Sequence, residues 1–348
     1  MHGSLGRAAG RCTAGDPRGT TFAHVYAALD LGTNNCRLLV ARPTGETFRV
    51  VDAFSRIVRL GERLAVSGEL TGAAMDRAVD ALKICAEKLA RRGVSRYRGV
   101  ATEACRQARN GAAFLARVTA ETGLEFEIID PAEEASLALA GCAPLLDLQP
   151  PHALLFDIGG GSTEVTWLER DDERGWRIAD SLSLGCGVVP FAERFGGDRI
   201  SPASYRAMID EIVAMLRPLE QRHGIAAMID AARVQMLGTS GTVTTLAGVR
   251  MNLPRYQRAL VDGSWLDLAD AVTVSRSLME LDWAGRAAHP CIGHERADLV
   301  VAGCAILEAI LELWPVKRLR VADRGLREGI LLGLMRADAH AKAPRDRP

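Results

Sequence analysis

One local pattern occurs twice in this chain and restricts the fold more than any other feature. An apolar run, Val25 to Leu29, meets the turn sequence DLGTNN beginning at Asp30, and a second apolar run follows from Cys36 to Ala41. Further along, Ala153 to Phe156 meets DIGGGS beginning at Asp157, and alternation resumes from Glu164 to Leu168. Each copy reads as a β-hairpin, because Asp and Gly tolerate the backbone angles of a tight turn. The surroundings of the first copy are clear. Thr47 to Ile57 continues its sheet, and Thr71 caps a helix in which Met75, Val79, Leu82, Ala86 and Leu89 recur at three- or four-residue steps. Gly99 to Ala101 ends a strand, Asn110 caps a helix through Thr122, Phe126 to Ile129 reads as a buried strand, and Pro131 opens another helix. After the second copy come helices around Tyr205 to Leu216 and Thr242 to Val249, then a strand Leu319 to Ala322 and a helix Leu326 to Met335. A degenerate repeat of this kind implies two α/β halves with helices covering mixed sheets.

The boundary is placed between the helix at Pro131 and the strand before Asp157, with DLQPP from Asp147 as linker. The halves are then 24–148 and 149–338. Residues 1–23 are rich in Gly, Arg and Ala and lack the apolar core of a signal peptide. They and 339–348 are expected to be disordered.

Three turns following apolar strands are rich in Gly, Ser and Thr: Gly32, Thr33 and Asn34 after Asp30; Gly159, Gly160, Gly161, Ser162 and Thr163 after Asp157; and Gly238, Thr239 and Ser240 in GTSGT. Such turns expose successive N–H groups and let a phosphate approach closely. The third also opens a helix, which adds a positive helix end. A single Gly-rich turn is as well explained by hairpin geometry; three in the same context point to phosphate. Lys and Arg total 43, Asp and Glu also 43. Zero net charge argues against a broad nucleic-acid surface, so a polyanion would need a local basic site. Arg37 and Arg106 are candidates to grip phosphate oxygens in a two-pronged contact.

Asp30 and Asp157 stand at matching strand ends. Two acids across a cleft repel unless a cation lies between them, and Mg²⁺ held through waters, few carboxylates and substrate phosphate fits. Each Asp could equally cap its own turn. At the start of the next helix, Asp130 suits the N-cap, Pro131 the first turn, and Glu133 the reciprocal capping position. That leaves Glu134 spare, although an acid there also complements the helix dipole. Seven histidines show no metal-ligand spacing, and His289 and His294 are assigned nothing. Eight cysteines form no CxxC pair and sit mostly in apolar segments, as free thiols of a reducing cytoplasm do. No apolar run reaches membrane-spanning length.

Read together, DLGTNNCRLLV from Asp30, VRLGERL from Val58, ATEACRQARN from Ala101, the acidic pair before Ala135 and DIGGGSTEV from Asp157 resemble the exopolyphosphatase/guanosine pentaphosphate phosphatase (Ppx/GppA) family. So do GTSGT from Gly238, ERADLVVAG from Glu295 and ADRGLREGIL from Ala322. The match runs from about Val25 to Met335, and DIGGGSTE is close to diagnostic within the actin-like superfamily of sugar kinases, chaperone ATPases and actin. The resemblance implies two actin-like (ribonuclease H-like) domains around a cleft, and a phosphohydrolase releasing terminal phosphate from polyphosphate or guanosine pentaphosphate. Its phosphate loops are Gly32 to Arg37 and Gly159 to Thr163. Glu134 resembles the family's catalytic base, Glu164 helps position water or metal, and Asp30 and Asp157 direct Mg²⁺. Arg106 matches an arginine of the cleft. Many relatives have Ser where this chain has Thr33 and Asn35; Thr33 keeps the hydroxyl and Asn35 does not. Longer relatives carry additional C-terminal helical domains, so this chain resembles the short form. The resemblance implies a cytoplasmic enzyme without nucleic-acid or membrane partners and leaves room for a homodimer. The rivals are an ATP-dependent kinase or ATPase on the same fold and a non-catalytic binder of polyphosphate or alarmone.

Overall fold

The computed structural model describes residues 24–342, apart from 46, 172 and 174. The tails expected at 1–23 and 343–348 lie outside the described residues.

Two mixed sheets are built from eleven described strands: β1 Tyr26–Leu31, β2 Asn35–Thr44, β3 Thr47–Ile57, β4 Arg96–Ala101, β5 Glu127–Ile128, β6 His152–Ile158, β7 Thr163–Asp171, β8 Gly175–Leu184, β9 Val234–Thr239, β10 Trp265–Asp267 and β11 Arg318–Ala322. The first sheet runs β3-β2-β1-β4-β5 and the second β10-β11-β9-β6-β7-β8. The repeat read from the turns extends to the register. Asp30 faces Arg37 across the first hairpin and Asp157 faces Glu164 across the second. A register shift falls at Val40/Ala41 in one half and at Trp167/Leu168 in the other. Asp30 with Asp157, Arg37 with Glu164, and Val40 with Trp167 share a single sequence offset, so the two hairpins correspond residue for residue. In each half a parallel strand, β4 or β9, then joins the inner side of the hairpin.

The helices form for local reasons that the sequence carries. Thr71 accepts a hydrogen bond from Ala74 N at 3.2 Å, and Gly93 ends the Gly72–Arg92 helix in the left-handed conformation. The apolar stripe of that helix, with the Gly111–Thr122 helix, covers one face of the first sheet. Asn110 precedes the latter helix without capping it. Its amide instead bonds Leu70 N and Leu70 O, both at 2.9 Å, and so ties down the preceding loop. The expected buried strand at Phe126 to Ile129 is a two-residue edge strand, with Glu127 and Ile128 exposed and only Ile129 buried. The helix Val300–Leu313 fills the centre of the second half and is apolar on nearly every side.

Two helices cross between the sheets, and each lies against the sheet of the other half. The Pro131–Cys142 helix, which follows the first sheet, places Ala138 and Cys142 among Ala153, Leu155, Leu168 and Leu237 of the second. The final helix, Leu326–Lys342, follows the second sheet and packs Ile330 and Leu331 on Tyr26, Ala28, Leu39 and Val100 of the first. It continues to Lys342, beyond the point where a loose tail was expected. Glycines permit the crossing: a Cβ on Gly141 would stand 2.0 Å from Gly325 O, and one on Gly329 2.0 Å from Leu137 O.

Candidate active site

The hairpin turns of both halves, the N-termini of four helices and the loops around them enclose a cleft of about 560 Å³. Asp30 and Asp157, at the ends of the central strands, both face it. So do Gly32, Thr33, Asn34 and Arg37 of the first hairpin, Gly159, Gly160, Gly161, Ser162 and Glu164 of the second, Thr239 and Ser240 after β9, and Glu134.

The turns are held from behind. Asn34 O accepts from Val58 N at 2.9 Å and Arg59 N at 3.1 Å, and Thr33 O accepts from Gly61 N at 2.9 Å. In the second turn, Gly159 O and Gly160 O accept from Val188 N and Val189 N at 3.1 and 2.9 Å. A trans peptide points its N–H opposite to its C=O, so the amides of Asn34, Gly160 and Gly161 are turned the other way. The turns also press on each other. A Cβ on Gly160 would lie 3.0 Å from Asn34 N, and one on Gly161 2.3 Å from Thr33 Oγ1. These glycines are thus required by the opposite turn as much as by any ligand. Thr33 Oγ1, Asn34 Oδ1 and Asn35 Nδ2 are buried without hydrogen-bond partners, an arrangement that a polar ligand would relieve. In the third turn Ser240 adopts φ 79°, and the helix it opens has no side-chain N-cap, so its first N–H groups remain free.

Three expected ligands do not reach the cleft. Thr163 is fully buried and donates to Cys186 O at 2.6 Å. Gly238 packs under Phe156, whose ring would meet an added Cβ at 2.5 Å. Arg106 is turned to protein partners: it donates to Ile129 O at 2.7 Å, to Glu134 Oε2 at 3.2 Å and to Glu103 Oε2 at 3.0 Å from Nε. It supports the carboxylate of Glu134 from behind the cleft wall. The capping arrangement is also only half formed. Asp130 Oδ1 accepts from Glu133 N at 2.8 Å, but the Glu133 carboxylate pairs with Arg98.

The carboxyl groups raise one another's proton affinity. Burial first, then Glu164, lifts Glu134 to about 9, with Asp157 and Asp30 adding to it and Arg106 opposing. Burial and Asp157 lift Glu164 to about 7, against hydrogen bonds from Ser162 and Ser183. Burial also raises Asp30 and Asp157; Arg37 counters both, and Arg37 Nη1 stands 4.0 Å from Asp30 Oδ2. Four mutually repelling acids suit a site completed by a cation. Among the described residues no three His, Cys, Asp or Glu side chains are grouped to hold an ion by themselves. That fits a hydrated Mg²⁺ shared between one or two carboxylates and substrate oxygens, and does not fit an all-protein cage.

Basic groups missed in the sequence line the same cleft. Arg296 and Arg327 have no hydrogen-bond or ion-pair partner among the described residues, and burial, with Arg37 nearby, lowers the proton affinity of both. Each lies in a segment that carried the family resemblance, but nothing local distinguishes it from a surface arginine. Tyr256 and Arg258 form a further wall, Tyr256 donating to Asp323 Oδ2 at 2.6 Å and Arg258 to Glu328 Oε1 at 2.7 Å.

Comparison with known proteins agrees with this architecture. The profile of the Ppx/GppA phosphatase family matches residues 39–338. A guanosine-5'-triphosphate,3'-diphosphate pyrophosphatase of Aeromonas salmonicida is 30% identical over 323 residues, covering 93% of this chain and 62% of that protein. A protein of the same name from Aeromonas hydrophila is 29% identical over the same length. The chain thus spans under two thirds of these relatives. Among solved structures, an exopolyphosphatase from Cytophaga hutchinsonii superposes with a TM-score of 0.81 at 26% identity, covering 90% of this chain and 98% of that one. An Aquifex aeolicus Ppx/GppA family member gives 0.72 at 27% identity, covering 91% and 99%.

Proposed function

The chain belongs to the Ppx/GppA phosphatase family, and from that premise we propose that it hydrolyses the terminal phosphoanhydride of a linear phosphate chain, either inorganic polyphosphate or the 5′ end of guanosine pentaphosphate. The observation that carries this reading is the meeting, in one cleft, of unpartnered arginines with a cluster of carboxyl groups. Arg296 and Arg327 are partly buried cations that make no side-chain hydrogen bond or ion pair among the described residues, which leaves both free to take an anion. Two pinned turns and the uncapped helix start at Ser240 offer backbone donors to the same anion.

In this reading the turns and Arg37, Arg296 and Arg327 hold the chain by its non-bridging oxygens. Water lies between the terminal phosphorus and Glu134. As the water oxygen attacks, its proton passes to Glu134, the bridging P–O bond breaks, and the shortened chain leaves with the electron pair. The arginines neutralise the charge that gathers on the leaving phosphate. Arg106, braced by Glu103, orients the Glu134 carboxylate. Asp30, Asp157 and Glu164 would hold Mg²⁺, which when bound neutralises phosphate oxygens. The added positive charge also explains how Glu134, protonated to about 9 in the empty cleft, becomes free to accept a proton.

The test is phosphate release from polyphosphates of several lengths and from guanosine pentaphosphate, with and without Mg²⁺. Release from one substrate class identifies it. No release from either, by a protein shown to be folded, refutes the proposal.

A further inference from the structure

Beside the cleft, one arginine reaches from one half to the other. Arg59 reaches from the first half to the second, donating from Nη1 to Asp298 Oδ2 at 2.9 Å and from Nη2 to Asp298 Oδ1 at 3.0 Å. Nη2 also donates to Glu295 O at 3.2 Å. Glu295 immediately precedes Arg296, the unpartnered arginine of the cleft. At its other end, the Arg59 backbone N–H donates to Asn34 O at 3.1 Å, directly behind the first phosphate turn. One residue therefore touches the supports of both phosphate-facing walls.

Its backbone is unusual too. Arg59 has φ 47° and Arg63, four residues on, has φ 59°. Non-glycine residues adopt this conformation at a cost and keep it where the surroundings demand it. Here the left-handed turn directs the Arg59 side chain across the gap. It also presents Arg63 N to Glu193 Oε1 of the second half at 2.8 Å. Within its own half the segment is braced by Arg77, which donates to Val58 O at 2.9 Å and pairs with Glu62 at 2.8 Å.

We infer that Arg59 is a positioning residue that clamps the first phosphate turn to the Arg296 segment and so sets the width of the phosphate site. This rests on the hydrolase reading for its kinetic test but not for its binding test. The clamp touches no reacting atom, so it acts on substrate and transition state alike, and its loss should appear in KM rather than kcat.

The experiment compares wild type with Arg59→Met, Asp298→Asn, the double variant and Arg59→Lys. Phosphate release from tripolyphosphate is followed at saturating Mg²⁺, and pyrophosphate binding is measured by calorimetry. Each single variant should raise KM and weaken pyrophosphate binding at least about fivefold, with kcat within about twofold. The double variant should be no worse than Arg59→Met alone, because both substitutions act on the same contact. Arg59→Lys should recover part of the affinity. A lowered melting temperature with unchanged KM and unchanged pyrophosphate affinity would reduce Arg59 to a structural pair and overturn the inference. Pyrophosphate binding that depends on Arg59, in a protein releasing no phosphate from any chain, would uphold the clamp and refute the hydrolase reading.

Discussion

Replacing Glu134 with Gln should make the empty protein more stable and the working enzyme much slower. The stability gain has a definite sign. The Glu134 carboxyl is lifted from 4.5 to about 9 in the folded protein, first by burial and then by Glu164. Between those values the folded state retains a proton that the unfolded chain has lost, so stability falls as pH rises through that window. Below 4.5 both states are protonated and nothing is lost. An isolated group would lose about 1.4 kcal/mol per pH unit. Glu164 shares the repulsion, so roughly 2 kcal/mol at pH 8 is a reasonable size. Gln is nearly isosteric, still accepts from Arg106, and does not titrate. The variant should therefore melt about 4 °C higher than wild type at pH 8, in chelator, and within about 1 °C of it at pH 5. Turnover should drop at least about a hundredfold, roughly 3 kcal/mol of transition-state stabilisation, because Gln cannot accept the proton. Glu133→Gln is the control: that side chain pairs with Arg98, and its loss should leave turnover near wild type. Melting curves at the two pH values and direct phosphate release on the same preparations decide the matter. A stability difference independent of pH would refute the electrostatic account of the cleft, and equal turnover would remove Glu134 as base and direct the same test to Glu164.

Other expectations follow from single contacts. Gly160→Val would push against Asn34, whose N and Cβ would both lie 3.0 Å from the new Cβ; it should lower phosphate release at least about tenfold and shift the melting temperature, and an unchanged enzyme would mean that the two turns have slack between them. Removing divalent cations with chelator should suppress phosphate release, and Mg²⁺ should restore it; full activity in chelator would sink the cation proposal. Asp52 is bonded by Lys88 at 2.9 Å and Arg92 at 2.8 Å, which hold it down at about 2. Its stabilisation, about 1 kcal/mol, is present at neutral pH and lost as pH falls through about 2, so Asp52→Asn should lower the melting temperature at pH 7 and leave unfolding at pH 2 unchanged. Asn110→Ala removes two bonds to Leu70 and should destabilise by about 1–2 kcal/mol in denaturant titration without changing KM.

What the sequence revealed was set by how local each determinant is. The hairpins were legible because the Asp-x-Gly turn and the apolar runs beside it are contained in a dozen residues. The Asp130 cap was legible for the same reason, but the partner of Glu133 was not, since Arg98 reaches it from another strand. The strand expected at Phe126 to Ile129 failed because a short apolar run has no periodicity to separate a buried strand from an edge. The Val300–Leu313 helix escaped notice for a related reason: buried on nearly every side, it carries no polar face to mark a helical period. At the site, the acids were found because they sit in or beside motifs. Arg106 was not legible as a support for Glu134, because Ile129 and Glu134 reach it from outside its own helix. Arg296 and Arg327 acquire meaning only when the fold sets them, without a direct hydrogen-bond partner, around one cavity, which is a property of assembly and not of sequence.

The exchange of helices between the halves bears on the order in which the chain can be completed as it is synthesised. The first sheet leaves the ribosome early, with Tyr26, Ala28, Leu39 and Val100 on a face that the Leu326–Lys342 helix covers. Roughly two hundred residues must follow before Ile330 and Leu331 emerge, which at ~5–20 residues per second is on the order of tens of seconds. Throughout that interval the nascent N-terminal half carries an uncapped apolar face, the kind of surface on which holding chaperones act. The half made first is thus finished only after the second half has emerged, and the Leu326–Lys342 helix that seats it also carries Arg327 into the cleft, so the lining of the cleft is complete only once both halves are made.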